Sequence, residues 1–153
     1  MTELALPKID KDTISRKDQI VSHLKKFTKD ENVLSENEEI KPYETDGLAA
    51  YKQTPLAVVL PENTKEVSEI LKFCNEENIK VIPRGAGTGL SGGALPLQDA
   101  ILLGLGKFNK ILEIDFENKC VVTQPGVTNL GITHAVQHKG YYYAPDPSSQ
   151  LAC

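Results

Sequence analysis

Pro83-Arg84-Gly85-Ala86-Gly87-Thr88-Gly89-Leu90-Ser91-Gly92-Gly93 is the stretch on which the reading of this chain turns. It holds five of the protein's eleven glycines within nine residues, directly after the apolar run Val81-Ile82. Glycine has no Cβ and reaches positive φ without strain, so backbone N–H groups in such a run can close around an anion. Thr88 and Ser91 add hydroxyls, and Arg84 adds a guanidinium suited to a phosphate or a carboxylate. A stretch this flexible between two apolar strands costs chain entropy, which a bound anion can offset and a plain surface loop cannot.

Two phosphate-binding patterns are tested by spacing. A Walker A loop fails, because the one Gly-Lys pair, Gly106-Lys107, has Ile101 at the first-glycine position and is followed by Phe108. Gly87-x-Gly89-x-x-Gly92 matches the dinucleotide fingerprint literally, with Glu113 and Asp115 downstream. That fingerprint also needs a helix whose N-terminus faces the pyrophosphate. Gly93-Ala94-Leu95-Pro96-Leu97 carries a proline and runs quickly into a strand, leaving no room for it. A dinucleotide bound here has to be held by the amides of the loop itself.

Outward from the loop, the chain alternates element types. Ala57-Val58-Val59-Leu60, closed by Pro61, reads as a buried strand. Asn63 or Thr64 caps a helix whose Val67, Ile70, Leu71 and Cys74 share a face. Cys74 then reads as a small core residue. Lys80 to Pro83 is the next strand, so residues 57–83 form a parallel strand–helix–strand unit. Beyond the loop, 101–103, 111–115 and 120–123 read as strands, the last two joined by the turn Glu117-Asn118-Lys119. Thr128 caps a helix ending at Gly140, and Tyr141 to Ala144 read as an extended strand. Ahead of all this, residues 1–35 form a lead-in with one amphipathic helix marked by Ile20, Val21, Leu24 and Phe27, its lysines Lys25, Lys26 and Lys29 solvated. The fold class is α+β, with a parallel piece and an antiparallel piece.

Composition narrows the function classes. The 153 residues are 40% hydrophobic and 25% charged with net charge −4, enough for a single-domain core and without a basic tract for nucleic acid or an anionic membrane. The longest apolar run, Ala100 to Leu105, is far short of the roughly 20 residues that cross a bilayer. Met1-Thr2-Glu3 and the charged residues after it do not form a signal peptide. Three scattered cysteines (Cys74, Cys120 and Cys153) indicate neither a disulfide framework nor a metal knuckle, and suit a reducing cytoplasm. His134 and His138 share a helical face, but Ala135 replaces the glutamate a zinc protease needs, so no metal is expected. Tyr141-Tyr142-Tyr143 reads as core and rim packing. Asp46 reads as a local turn former.

The loop is preceded by Thr54-Pro55-Leu56-Ala57-Val58-Val59-Leu60-Pro61 and followed by Gln124-Pro125-Gly126-Val127 and Pro145-Asp146-Pro147-Ser148-Ser149. In that order these segments resemble the FAD-linked oxidase family with a PCMH-type FAD-binding domain, typified by vanillyl-alcohol oxidase and p-cresol methylhydroxylase. Tyr43-Glu44-Thr45-Asp46-Gly47-Leu48 and Gly89-Leu90-Ser91-Gly92-Gly93 point to its glycolate oxidase and D-lactate dehydrogenase branch. The resemblance spans residues 36–153 and implies an FAD-binding domain there.

It implies that Arg84, Gly85, Ala86, Gly87, Thr88 and Gly89 wrap the FAD pyrophosphate through backbone amides, with Leu90 and Ser91 continuing the loop. It implies a second FAD-contacting loop at Pro145, Asp146, Pro147, Ser148 and Ser149. Some relatives attach the flavin through a histidine at the position of Thr88, which cannot form that bond, so non-covalent FAD is expected. The implied activity is oxidation of a D-2-hydroxy acid such as glycolate or D-lactate, with electrons leaving to a quinone chain, an iron–sulfur subunit or other flavoprotein subunits, at a cytoplasmic site peripheral to the inner membrane face. Family members are far longer, so a fragment is expected, truncated at its C-terminus and lacking the substrate site and any catalytic acid or base. The readings left beside this one are a stand-alone nucleotide-binding module and an inactive remnant.

Overall fold

The computed structural model describes residues 7–152. Cys153 and the start of the N-terminal stretch read above lie outside the described residues. A four-stranded sheet of order β1-β2-β4-β3 forms the centre, from β1 (Val33–Leu34), β2 (Ala57–Val59), β3 (Lys80–Arg84) and β4 (Ala100–Gly104). β4 pairs in parallel with both β2 and β3, while β1 adds antiparallel to β2.

Every residue of β4 is buried, as befits a parallel strand covered on both faces. Pro83 cannot donate to a ladder on both sides, which suits the edge position of β3. The expected strand–helix–strand unit is therefore present and parallel, but its strands are not neighbours. The two-sided apolar run of β4, arriving after the glycine-rich loop, takes the centre between them.

The expected N-terminal helix is two helices, α1 (Lys11–Ser15) and α2 (Lys17–Leu24), broken at Arg16. Ser15 Oγ bonds back to the Asp12 carbonyl at 2.8 Å, a competing interaction that weakens helix geometry, and Arg16 turns to meet Glu77 Oε2 at 2.7 Å. The segment 35–41, rich in Glu and Asn, contains α3 (Asn37–Ile40), which Glu36 and Glu39 close as a capping box.

α4 (Thr64–Glu76) starts where Asn63 Oδ1 accepts from Glu66 N at 3.0 Å. Its buried residues are Ile70, Phe73 and Cys74. Leu71, placed on the core stripe by spacing, is 44% exposed. Adjacent helical residues are roughly 100° apart, which carries Leu71 past the rim of a stripe centred near Ile70. Burial pushes the Cys74 thiol up to about 11, so it stays an inert core group.

Alternate residues of the strands serve two cores. Ala57, Val59, Ile101 and Leu103 meet Ile20, Leu24, Ile70 and Phe73 on one face. Val58 and Leu102 meet Ile40 on the other, with Leu34, Tyr43 and Leu60 packed around them. Tyr43 is thereby anchored on the sheet.

Asp99, 2% exposed just before β4, accepts from Asp10 N at 2.7 Å and Lys80 Nζ at 2.6 Å. Burial alone would raise its pKa. The Lys80 ammonium and the Asp10 amide outweigh burial and hold the carboxyl below the ordinary 3.8. A lowered folded-state pKa stabilises above the unfolded value, and the contribution is lost as pH falls through the folded one. Asp99→Asn is expected to cost about 1–3 kcal/mol at neutral pH, with the difference between wild type and variant shrinking at acid pH, below the ordinary carboxyl value of 3.8. Melting curves at both pH values check this.

The antiparallel piece pairs β5 (Ile111–Asp115) with β6 (Cys120–Thr123) across a turn in which Lys119 takes φ +54°. Thr128 caps α5 (Asn129–Val136), and Gly140 closes the following 3₁₀ turn at φ +76°, as its position suggested. Tyr141 to Ala144 form no strand. Tyr143 N donates instead to Thr133 Oγ1 of α5 at 3.1 Å, and the tyrosines line an open groove of about 470 Å³ with Phe116, Ile132 and Val136. Gly126 fastens this piece to the main sheet. Its N–H donates to the Phe108 carbonyl at 2.7 Å, and a Cβ there would lie 2.7 Å from the Leu105 oxygen.

Candidate cofactor-binding site

The glycine-rich loop leaves the C-terminal end of β3, the end at which ligands bind in open parallel sheets. The Arg84 carbonyl accepts from Leu105 N at 2.8 Å, which fixes the loop's root to the end of β4. From there Gly87 takes φ +74° and Gly92 φ +75°, turns that L side chains enter only with strain. Leu95 N closes the second turn on the Gly92 carbonyl at 3.2 Å.

Gly85, Gly89 and Gly93 present bare backbone. A Cβ on any of them would have nothing within 4 Å. The loop thus offers exposed, unobstructed backbone along one stretch, with no carboxylate among residues 83–93. Glycine backbone left bare in this way lets amides approach a diphosphate closely, and these residues fit the pyrophosphate of a dinucleotide. Leu90, 72% exposed, stands at the tip.

Sequence reasoning missed what lies behind the loop. Gly47 sits so close that a Cβ would fall 2.6 Å from the Thr88 oxygen and 2.7 Å from the Gly89 oxygen. Asp46 beside it is 5% exposed, and its Oδ1 accepts from Leu48 N at 2.9 Å, the local turn its type suggested. Its Oδ2 is buried without a hydrogen-bond partner. The Asp46-Gly47 pair marks a turn in the sequence, but nothing local signals that a loop 40 residues later rests on it. Gly47→Ala is expected to push the loop outward, costing about 1–3 kcal/mol of stability and weakening FAD binding. Thermal melts and a flavin titration check the two effects.

Of the other expected contacts, Pro145 to Ser149 lie on the second piece. Asn129 Nδ2, at the start of α5, donates to the Pro145 carbonyl at 3.4 Å, and Gln150 N turns back on the Pro147 carbonyl at 2.9 Å. Pro145, Asp146, Pro147 and Ser148 are exposed and Ser149 is half-buried. The two expected cofactor segments are therefore held by separate parts of the fold, one by β3 and residues 43–48, the other by α5. His138 packs edge-on to Phe116 at 6.1 Å. Among the described residues, no helix is long and apolar enough to cross a membrane.

Known proteins share both pattern and fold. The glycolate oxidase subunit GlcD of Escherichia coli K12 is 46% identical over 149 residues, 97% of this chain and 29% of that protein. A D-lactate dehydrogenase of Archaeoglobus fulgidus is 43% identical over 95 residues, covering 62% of this chain and 21% of its own length. The chain thus spans under a third of the relatives it matches. Among solved structures, p-cresol methylhydroxylase with substrate bound superposes with a TM-score of 0.72 at 27% identity, over 82% of this chain and 25% of that one. Residues 55–153 match the FAD binding domain family. With the glycine-rich loop, its left-handed turns and the second loop at 145–149 all inside that match, the chain belongs to the FAD-binding domain family and takes FAD as its cofactor.

Proposed function

We propose that the chain is the FAD-binding portion of an oxidoreductase that converts a D-2-hydroxy acid, glycolate or D-lactate, to the 2-oxo acid. The observation that carries the reading is the exposed, unobstructed backbone at Gly85, Gly89 and Gly93, turned by positive φ at Gly87 and Gly92. Arg84 to Ser91 hold the pyrophosphate and Pro145 to Ser149 supply a second contact. The likeness to a glycolate oxidase component and a D-lactate dehydrogenase supports the substrate class.

FAD, when bound, supplies the two-electron chemistry. The chain's own residues bind and orient it. The glycine-rich loop stabilises the diphosphate with uncharged amides and brings no carboxylate of its own, and the pieces carrying the two loops are locked to one another at Gly126. Thr88 leaves the flavin non-covalent. Electrons pass to an iron–sulfur protein or a second flavoprotein of the same complex, in the cytoplasm.

The test is genetic and enzymatic. Extracts of the native host lacking this gene are expected to lose D-lactate- or glycolate-dependent dye reduction while keeping L-lactate-dependent reduction. Restoration by a wild-type copy of the gene but not by one encoding Gly87→Glu completes the expected pattern. Undiminished dye reduction with both D-2-hydroxy acids in the deletion strain would overturn the proposal.

A further inference from the structure

We propose that the Arg84 side chain serves the cofactor from behind, setting the curvature of the glycine-rich loop as a positioning group, and that its guanidinium is not a phosphate ligand. This rests on the reading of that loop as the pyrophosphate cradle.

Three contacts place the guanidinium. Its Nη1 donates to the Tyr43 carbonyl at 3.1 Å. Its central carbon lies 5.8 Å from the centroid of the Tyr43 ring. Its Nε, Nη2 and Cζ lie 2.4–2.7 Å from the point where a Cβ on Gly87 would stand. One planar cation therefore touches the 3₁₀ turn at Lys41–Tyr43 and the left-handed turn of the loop, while its own backbone ends β3.

The brace has a firm footing. Tyr43 packs against the buried Val58, Leu102 and Ile40, so the 41–43 turn moves only if that small core moves. Gly47, on the same segment, meets the Thr88 and Gly89 carbonyls. Arg84 and the 43–47 segment thus back the loop at two points and leave Gly85 and Gly89 unobstructed. Glycine is required at 87 twice over, once for φ +74° and once because the guanidinium occupies the space of a side chain.

Lysine cannot substitute in this role. It keeps the charge but has no flat face to lie against Gly87 and the Tyr43 ring. At a direct phosphate contact, by contrast, lysine is a serviceable point charge. The two roles are separated by the conservative variant.

The experiment compares wild type, Arg84→Lys and Arg84→Ala in the full 153-residue chain, each with and without Gly87→Ala. Thermal stability is measured without FAD, and FAD affinity is read by flavin fluorescence. Losing a charged hydrogen bond of the ordinary size predicts a melting temperature lower by about 3–12 °C in both Arg84 variants, and FAD affinity lower by about tenfold in both. Gly87→Ala is expected to lower the melting temperature and to weaken FAD binding by about tenfold with Arg84 present. In Arg84→Ala, where the new Cβ fills vacated space, it costs less stability and less than about threefold in affinity. Arg84→Lys with wild-type melting and wild-type affinity would overturn the brace, as would equal effects of Gly87→Ala in the two backgrounds. A wild type that takes up no FAD would refute the cradle reading, and the melting comparison across the two backgrounds would still decide for or against the brace.

Discussion

Gly87→Glu is expected to abolish FAD binding, the largest functional effect of any single change in the loop. Three costs coincide at this residue. The backbone sits at φ +74°, which costs a side-chain-bearing residue about 1–2 kcal/mol. The new Cβ would stand 2.4 Å from Arg84 Nε, so the guanidinium has to leave its place against Tyr43. The carboxylate also adds a negative charge beside the diphosphate, and like charges a few ångströms apart repel by about 4 kcal/mol at a partly screened site. The strain and the repulsion together take about 5–6 kcal/mol, before any cost of displacing Arg84, from the roughly 8 kcal/mol of a micromolar cofactor, so Gly87→Ala should retain weak binding where Gly87→Glu retains none. Flavin fluorescence titration of both variants checks the order. Equal affinities for the two would show that the loop's electrostatics play no part.

Leu102→Ala is expected to give the largest loss of stability, about 2–5 kcal/mol. Leu102 is 0% exposed at the middle of β4, with parallel neighbours on both sides. It packs against Val58 and Ile40 beneath Tyr43. A cavity there is poorly filled, because strand backbones on either side are held by their ladders. For a domain of this size the expected fall in melting temperature is about 4–20 °C. Leu71→Ala, at a side chain 44% exposed, should change stability by no more than about 0.5 kcal/mol. Thermal melts of the pair check both. The loss of Leu102 also loosens the footing of Tyr43, so FAD affinity should fall in Leu102→Ala and stay unchanged in Leu71→Ala.

Leu102 and Leu71 also show what could be read from the chain alone. The unbroken apolar run Ala100 to Leu103 marks a two-sided buried strand, and it is one. Its place between β2 and β3 is not local information, since it depends on β4 and the proline-bearing β3 competing for the centre of one sheet. Helical spacing correctly nominated Ile70 and Cys74, but it cannot say where the stripe ends, and Phe73 rather than Leu71 takes the last place in the core. Tyr141 to Ala144 have strand-like composition, yet Thr133 supplies the partner that a neighbouring strand would have supplied.

The site divides in the same way. Gly87 and Gly92 were legible because a dense glycine run implies positive φ, and both adopt it. The second cofactor segment, Pro145 to Ser149, came from family likeness alone, since nothing in its exposed backbone distinguishes it from other turns. Tyr43 and Gly47 were named only as family wording. Their part in backing the loop depends on contacts across about 40 residues of chain, which no periodicity records.

Titration of FAD with the purified 153-residue chain, followed by flavin fluorescence, reaches the pyrophosphate cradle without intermediaries. Saturable quenching at one FAD per chain in the micromolar range, lost in Gly87→Glu, is the predicted result. Flavin fluorescence left unchanged by a molar excess of folded chain would contradict it.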